Sequence, residues 1–204
     1  RLLGSMRTAT ISSKSNMPID SSPVKHSFST IAILPTTDDV PLTAFTYELY
    51  HSLSAICPTA RMTADVVRKT LGMNIMESSN EYRLLSYLSQ QEDHNDVTLY
   101  QCESGTLTPW TQRCLRQADV ILIVGLADRP PTIGKLEREI DRFAIRTAKE
   151  LVLLHIESNN TRPTNTVQWL NQRSWVNRHH HILCPKRMFT RKSQYRVNDL
   201  YTKV

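Results

Sequence analysis

Glycine is scarce in this chain, and its few glycines fall outside every glycine-rich motif. The sequence has five glycines in 204 residues and contains neither G-x-G-x-x-G nor G-x-S-x-G. The first pattern lets backbone N–H groups wrap a phosphate, and the second builds the strained turn that exposes a nucleophilic serine. The sequence therefore argues against nucleotide hydrolysis and against serine hydrolysis.

Long apolar runs are also missing. The longest run, Val120 to Leu126, has the length of a strand, whereas a membrane-spanning helix needs about 18–20 apolar residues. The N-terminus has no apolar segment typical of a secretory signal, and it starts at Arg1 rather than Met. We expect the chain to be a fragment of a longer protein.

The cysteines lack the spacing of a zinc site. There are four, with no C-x-x-C pair among them. This scatter predicts buried free thiols in a reducing compartment. We expect neither a bound metal nor a cofactor.

Charge is distributed unevenly along the chain. The formal net charge is +6, yet residues 29–161 carry more acids than bases, and from Arg162 onward nine basic groups face the single acid Asp199. The basic pI is therefore a property of the tail rather than of the fold.

Apolar patterning alternates between strand and helix periods from residue 29 onward. Residues 1–28 are rich in serine and predict a disordered linker. Continuous apolar runs, the strongest at residues 119–125, are typical of strands buried on both faces of a parallel sheet. Strands are predicted at 29–34, 97–102, 119–125, 151–156 and 181–184, and helices at 43–56, 64–71, 81–91, 110–117, 133–147 and 167–173. We predict a doubly wound, Rossmann-like (P-loop-like) three-layer α/β domain over residues 29–185, with a mainly parallel sheet.

The loop after the first strand is the first candidate site, because ligands bind at the carboxyl ends of parallel strands. A phosphate loop needs glycines and a lysine there. This chain has neither, and two carboxylates stand where phosphate charge would lie. We interpret the segment as a degenerate phosphate loop, comprising Thr36, Thr37, Asp38, Asp39 and Thr43.

Two further candidates follow later strands. Asp128, after the strongest strand, is a possible magnesium or ligand carboxylate, although its position before Pro130 and Pro131 is also typical of a simple turn. Residues 179–181 are three consecutive histidines. Side chains adjacent in an extended segment point to opposite sides, so we expect these histidines to be partly solvated rather than to bind one metal ion.

The tail, residues 186–204, combines basic and apolar residues at helical spacing. One interpretation is contact with an anionic membrane surface through Lys186, Arg187, Arg191, Lys192 and Arg196. The other is a helix that packs on this domain or on a following one. We expect no nucleic-acid binding, because no recognised module accompanies these basic groups.

Four segments together are distinctive: STIAILPTTDDVPLTAFTYELYHSLSAICPT, EYRLLSYLSQQED, TLTPWTQRCLRQADVILIVGLAD and TVQWLNQRSW. In them the chain resembles the P-loop-like domain that precedes the patatin catalytic domain in the neuropathy target esterase family. The resemblance implies a parent lysophospholipase on the cytoplasmic face of the endoplasmic reticulum, which hydrolyses lysophosphatidylcholine or phosphatidylcholine, and a fragment that is itself soluble.

The resemblance also implies that catalysis and regulation belong to different domains of the parent. A patatin domain with a Ser–Asp dyad would follow this chain, and cyclic-nucleotide-binding-like domains would precede it. No position here matches those catalytic motifs, so we expect a noncatalytic regulatory or scaffolding domain that contacts both neighbours. The alternative is a nucleotide or small-ligand sensor that retains a pocket at the carboxyl ends of its strands.

Overall fold

A computed structural model describes residues 28–103, 105–143, 146–156 and 163–189. The strands within these ranges are β1 (Thr30–Pro35), β2 (Thr59–Met62), β3 (Val97–Gln101), β4 (Val120–Leu126), β5 (Ala148–Ile156) and β6 (Arg178–Cys184). The helices are α1 (Leu42–Ser54), α2 (Ala64–Leu71), α3 (Glu81–His94), α4 (Pro109–Gln117), α5 (Lys135–Phe143) and α6 (Thr166–Asn171). Short 3₁₀ segments cover Met73–Met76, Ser78–Asn80 and Lys186–Phe189.

The six strands form one parallel sheet in the order β2-β3-β1-β4-β5-β6. Strand β4 lies inside the sheet, and its apolar run is buried on both faces, as Ile121 and Val124 show. Helices cover the two faces of the sheet. The prediction of a three-layer α/β domain is confirmed, and the sheet is parallel throughout.

The two faces of the sheet are covered by different elements. Helix α1 and the 186–189 segment pack on one face, where Phe45 and Met188 are buried. Helices α2 to α6 pack on the other, around Trp110 and Trp169, which are 1% and 2% exposed. Both tryptophans therefore belong to the core. All four cysteines are buried free thiols, also as predicted.

Threonine side chains cap two of the helices. The Thr63 hydroxyl accepts a hydrogen bond from the Val66 N–H, and Thr108 caps α4 in the same way. Ser79 and Thr164 precede the predicted helices 81–91 and 167–173 and are capping residues by type, but neither caps α3 or α6. The capping positions are Asn80 and Asn165, neither of which makes a side-chain capping bond.

Strand β2 is the element that the apolar pattern does not predict. Strand β2 is an edge strand that pairs only with β3 among the described strands, so it needs fewer apolar side chains. Its short sequence, TARM, contains both polar and apolar residues. Two apolar residues in predicted elements are also less buried than the apolar pattern indicates. Ile56 is 74% exposed, since α1 ends at Ser54, and Leu122 is only partly buried on the α1 side of β4.

Two predicted segments fall wholly or mostly outside the described residues. These are the linker, of which only Phe28 is described, and the tail beyond Phe189. The described residues include no helix with the length and apolar character needed to cross a membrane.

Truncating a core side chain tests the placement of the central strands. Ile121 and Leu153 are both 0% exposed, so Ile121→Ala or Leu153→Ala should lower the free energy of unfolding by about 2–5 kcal/mol. Urea denaturation measures the change. The control Val167→Ala, at a side chain 68% exposed, should cost no more than about 0.5 kcal/mol. Equal losses at core and control positions would contradict the assignment of the core.

Candidate functional site

The loop after β1 is closed by its own backbone. The Thr36 N–H donates to the Val124 carbonyl at 2.8 Å, which ties the start of the loop to β4. Within the loop, the Val40 N–H donates to Thr37 O and the Leu42 N–H donates to Val40 O, at 3.3 and 2.7 Å. Three N–H groups at the phosphate-loop position are therefore already bonded to carbonyl oxygens.

The two acidic residues of this loop have different roles. Asp39 accepts a hydrogen bond from the Thr37 hydroxyl at 2.6 Å and forms an ion pair with Arg129, in the loop after β4, at 2.8 Å. Asp38 instead lines a cleft and has no ion-pair partner among the described residues. The two carboxylates predicted to oppose phosphate are thus separated, and Asp38 is the one that faces the cleft.

The loop after β4 is held by a buried ion pair. The Arg173 guanidinium bonds both carboxylate oxygens of Glu137, at 2.8 and 3.0 Å, and neither side chain is exposed. Arg173 also donates to the carbonyl oxygens of Pro131 and Thr132. A buried arginine with an ionic partner and carbonyl acceptors satisfies the requirement for burying charge. The loop is consequently fixed at the carboxyl end of the sheet.

Gly134 allows this fixed loop to lie against the loop after β1. A Cβ at that position would lie 2.4 Å from the Thr36 carbonyl oxygen, closer than any side chain tolerates. The Gly134 N–H donates to Glu137 at 3.2 Å. Thr36 itself is buried, so the β4 side of the phosphate-loop position is filled by protein.

A cleft of about 570 Å³ opens on the other side, where β1 and β3 lie next to each other. The connection from β1 leads to the edge strand β2, whereas that from β3 leads to β4 on the far side of β1. This reversal is where α/β sheets bind ligands. Of the predicted loop residues, Asp38 and Thr43 line the cleft and Thr36, Thr37 and Asp39 do not. The remaining lining residues are Val40, Leu42, Thr63, Ala64, Asp65, Arg68, Gln101, Cys102, Glu103 and Thr108.

Charge in the cleft is predominantly acidic. Asp65 lies in the first turn of α2 and Glu103 follows β3, and Arg68 lies 3.5 and 3.3 Å from these two carboxylates. Gln101 donates to the Thr43 hydroxyl at 2.9 Å and accepts from Arg61 at 3.1 Å. Sequence inspection missed these groups, because their convergence depends on strand order. The one available signal was the pair of helix caps, Thr63 and Thr108, which mark the carboxyl-end loops.

Asp128 lies apart from this cleft. It follows β4, on the opposite side of β1 from β3, and is absent from the cleft lining. Burial lowers the pKa of His155, and the charge of Asp128 acts on that pKa in the opposite direction. The structure therefore does not bring Asp128 together with Asp38.

The consecutive histidines point to opposite sides, as predicted. His180 Nε2 lies 2.7 Å from Glu150, whereas His181 bonds His155 at 2.8 Å and the Thr166 hydroxyl at 3.1 Å. Across the described ranges, no group of three potential metal-binding side chains converges.

The basic residues of the tail are only partly described. Lys186 and Arg187 lie in the 3₁₀ segment after β6, and Arg187 is 3.4 Å from Glu48 of α1. Arg191, Lys192 and Arg196 lie outside the described residues.

The His155–His181 pair predicts a loss of stability in mild acid. Burial lowers the pKa of both imidazoles, and the neighbouring histidines lower that of His181 further. The hydrogen bond between the rings also requires at least one neutral partner. The unfolded chain thus binds more protons, and the free energy of unfolding should fall as pH drops below the ordinary histidine value of 6.5.

Urea titrations at several pH values measure this slope. The loss of stability with falling pH should become smaller when His155 and His181 are both replaced by Gln, and it should persist in the control His94→Gln on α3. An unchanged slope in the double variant would contradict the assignment.

Comparison with known proteins agrees with this architecture. The profile of the Neuropathy Target Esterase family P-loop like domain matches residues 27–204. Over its 204 residues the chain is 62%, 63% and 64% identical to proteins named "Neuropathy target esterase sws" from Drosophila persimilis, Drosophila melanogaster and Drosophila sechellia. In each case the match covers the whole chain and 14% of the relative. No solved structure matches the chain significantly. The chain therefore belongs to the neuropathy target esterase family, in which it corresponds to the P-loop like domain.

Proposed function

We propose that this chain is a noncatalytic regulatory or scaffolding domain of a neuropathy target esterase-type lysophospholipase. The observation that carries the proposal is the state of the phosphate-loop position. Three of its backbone N–H groups, those of Thr36, Val40 and Leu42, are bonded to carbonyl oxygens, and its acid Asp39 is paired with Arg129. The fold is thus used as a packed unit rather than as a phosphate-transfer site.

Electrostatics supports this proposal. A phosphate charge about 5 Å from a carboxylate is opposed by roughly 3 kcal/mol at an effective dielectric constant near 20. Asp38, Asp65 and Glu103 all line the cleft, and Arg68 is the one cationic side chain among its lining residues. A triphosphate would therefore meet net repulsion.

A second candidate function is a small-ligand sensor. The cleft volume of about 570 Å³ favours it, since ligand pockets commonly measure about 300–1,000 Å³. In that case the domain would report ligand occupancy to the rest of the parent protein.

The partners that we propose are the patatin and cyclic-nucleotide-binding-like domains of the parent, at the cytoplasmic face of the endoplasmic reticulum. The chain spans 14% of its relatives' length, which leaves room for such domains. Met73 and Tyr82 are 75% and 86% exposed, and exposed large apolar side chains of this kind are available for interdomain contact.

Deleting residues 28–189 from the parent tests the regulatory role. We expect kcat or KM for lysophosphatidylcholine to change by at least about threefold, because the neighbouring domains lose a packed partner. In the control, a flexible linker that spans the same distance replaces the domain, so that an effect of tether length is not mistaken for loss of regulation. Kinetics identical to those of the intact parent, at equal protein amount, would contradict the proposal.

The isolated 204-residue chain provides the complementary assay. It should release no fatty acid from lysophosphatidylcholine and cleave no phenyl ester. Sustained turnover by the purified chain would contradict a noncatalytic role.

Contact of the tail with an anionic membrane is proposed as an additional interaction. Each basic residue near anionic lipid contributes about 1 kcal/mol, so binding to phosphatidylserine liposomes should rise with anionic lipid and fall with salt. Sedimentation of the chain with graded liposomes measures it. Replacing Arg191, Lys192 and Arg196 by Gln should weaken binding. A chain that stays in the supernatant at low salt would contradict membrane contact.

A further inference from the structure

We propose that Cys102 and Cys114 form a reversible disulfide, which gives this domain a redox-sensitive link between β3 and α4. The two thiols contact each other, their elements are bonded together, and the other two cysteines lie elsewhere. Formation of the bond does not rest on the proposed regulatory function, whereas its use as a signal within the parent does.

The sheet divides the four cysteines into two groups. Cys102 and Cys114 belong to the core on the side of α2 to α6, where they are 2% and 0% exposed and form a hydrogen bond with each other. Cys57 and Cys184 belong to the core on the α1 side, and they lie at opposite edges of the sheet, before β2 and at the end of β6. The fold therefore brings together one pair of thiols and keeps the other two apart.

Helix α4 is bonded directly to the end of β3. The Trp110 Nε1–H donates to the Gln101 carbonyl oxygen at 2.9 Å, and the Glu103 N–H donates to the Thr111 hydroxyl at 3.1 Å. Cys114 follows Thr111 by about one helical turn, so the two side chains lie on the same face of α4. These bonds hold Cys114 against the end of β3, where its partner thiol lies.

The two thiols differ in their access to solvent. Cys102 lines the cleft of about 570 Å³, whereas Cys114 is absent from its lining. Burial, followed by the hydrogen bond with Cys102, raises the pKa of the Cys114 thiol, so that Cys114 stays protonated and is a weak nucleophile by itself. A small uncharged oxidant that enters the cleft therefore meets Cys102 first, and Cys114 acts as the resolving thiol.

A peroxide supplies the oxidising equivalents. The Cys102 sulfur attacks one peroxide oxygen, the O–O bond breaks, and the thiol proton leaves with the other oxygen as water, which gives a sulfenic acid on Cys102. The Cys114 sulfur then forms the S–S bond while the S–O bond breaks, and the Cys114 proton leaves with that oxygen as a second water. The two thiols together lose two electrons, and the peroxide gains them.

The disulfide joins α4 covalently to the end of β3, at one wall of the cleft. Glu103 and Thr108 line this wall and lie between the two cysteines in the sequence. Because a covalent link at both ends restricts the segment 103–113, local opening of that segment becomes rarer. In a reducing compartment the pair rests as thiols, so that the link forms only while oxidant is present.

Peptide mapping of the 204-residue chain tests the proposal. The folded chain is treated with hydrogen peroxide, its remaining thiols are blocked with N-ethylmaleimide in urea, and the protein is digested with trypsin. Cleavage after Arg113 separates Cys102 from Cys114, so a disulfide between them appears in the mass spectrum as two linked peptides. We expect these linked peptides, their loss after treatment with dithiothreitol, and blocked thiols at Cys57 and Cys184.

Matched variants and hydrogen exchange separate a specific link from general oxidation. The double variant Cys57→Ala and Cys184→Ala should retain the linked peptides, whereas Cys114→Ala should lose them. Oxidation of the unsubstituted chain should slow hydrogen exchange in the segment 103–113 at least about threefold, because the link suppresses local opening. The same treatment of Cys114→Ala should leave that exchange unchanged. Thermal melting confirms that each variant is folded, and the result on the unsubstituted chain stands without them.

Three results would overturn the proposal. These are the absence of the linked peptides from the oxidised, folded chain, an equal yield of disulfides that involve Cys57 or Cys184, and unchanged hydrogen exchange in the segment 103–113 once the link has formed. None of them bears on the parent's kinetics after deletion of the domain, so failure here is distinguishable from failure of the regulatory role.

Discussion

The buried ion pair between Glu137 and Arg173 is the interaction on which the carboxyl end of the sheet depends. With both side chains fully buried, removing one partner would leave an uncompensated charge, which typically costs about 3–5 kcal/mol. The pair fixes the loop after β4, and through Gly134 that loop lies against Thr36. This contact fills the β4 side of the phosphate-loop position, and the cleft opens on the β3 side of that position, where β1 and β3 lie next to each other.

Much of the fold could be predicted because a strand that is buried on both faces of a parallel sheet appears in the sequence as a continuous apolar run. The run from Val120 to Leu126 could not be an amphipathic surface element, and it became an inner strand of the sheet. Edge strand β2 has no such run, because an edge strand needs fewer apolar side chains and its TARM sequence contains both polar and apolar residues. Ile56 shows a different limit. The helical spacing of apolar residues extends to Ile56, two residues beyond Ser54, but the helix ends at Ser54 and Ile56 is exposed.

The site was less predictable than the fold because it depends on strand order. The loop after β1 could be found from sequence, and Asp38 and Thr43 do line the cleft. Whether another loop lines the same cleft depends on whether its strand lies on the β3 side or on the β4 side of β1. Local patterning cannot decide this, since both strands pair with β1. Glu103 was therefore not predicted as a site residue, whereas Asp128 was, because it follows the strongest strand.

The fold supplies the position of a phosphate site but not its chemistry. Phosphate binding in such folds depends on free N–H groups at a loop and a helix N-terminus, together with a cation. Here three loop N–H groups bond carbonyl oxygens, threonine hydroxyls cap one N–H group each at the starts of α2 and α4, and carboxylates outnumber the single arginine that lines the cleft. These are independent changes on separate elements, and each disfavours an anion. Their agreement supports the proposal that this position of the fold is not used to bind phosphate.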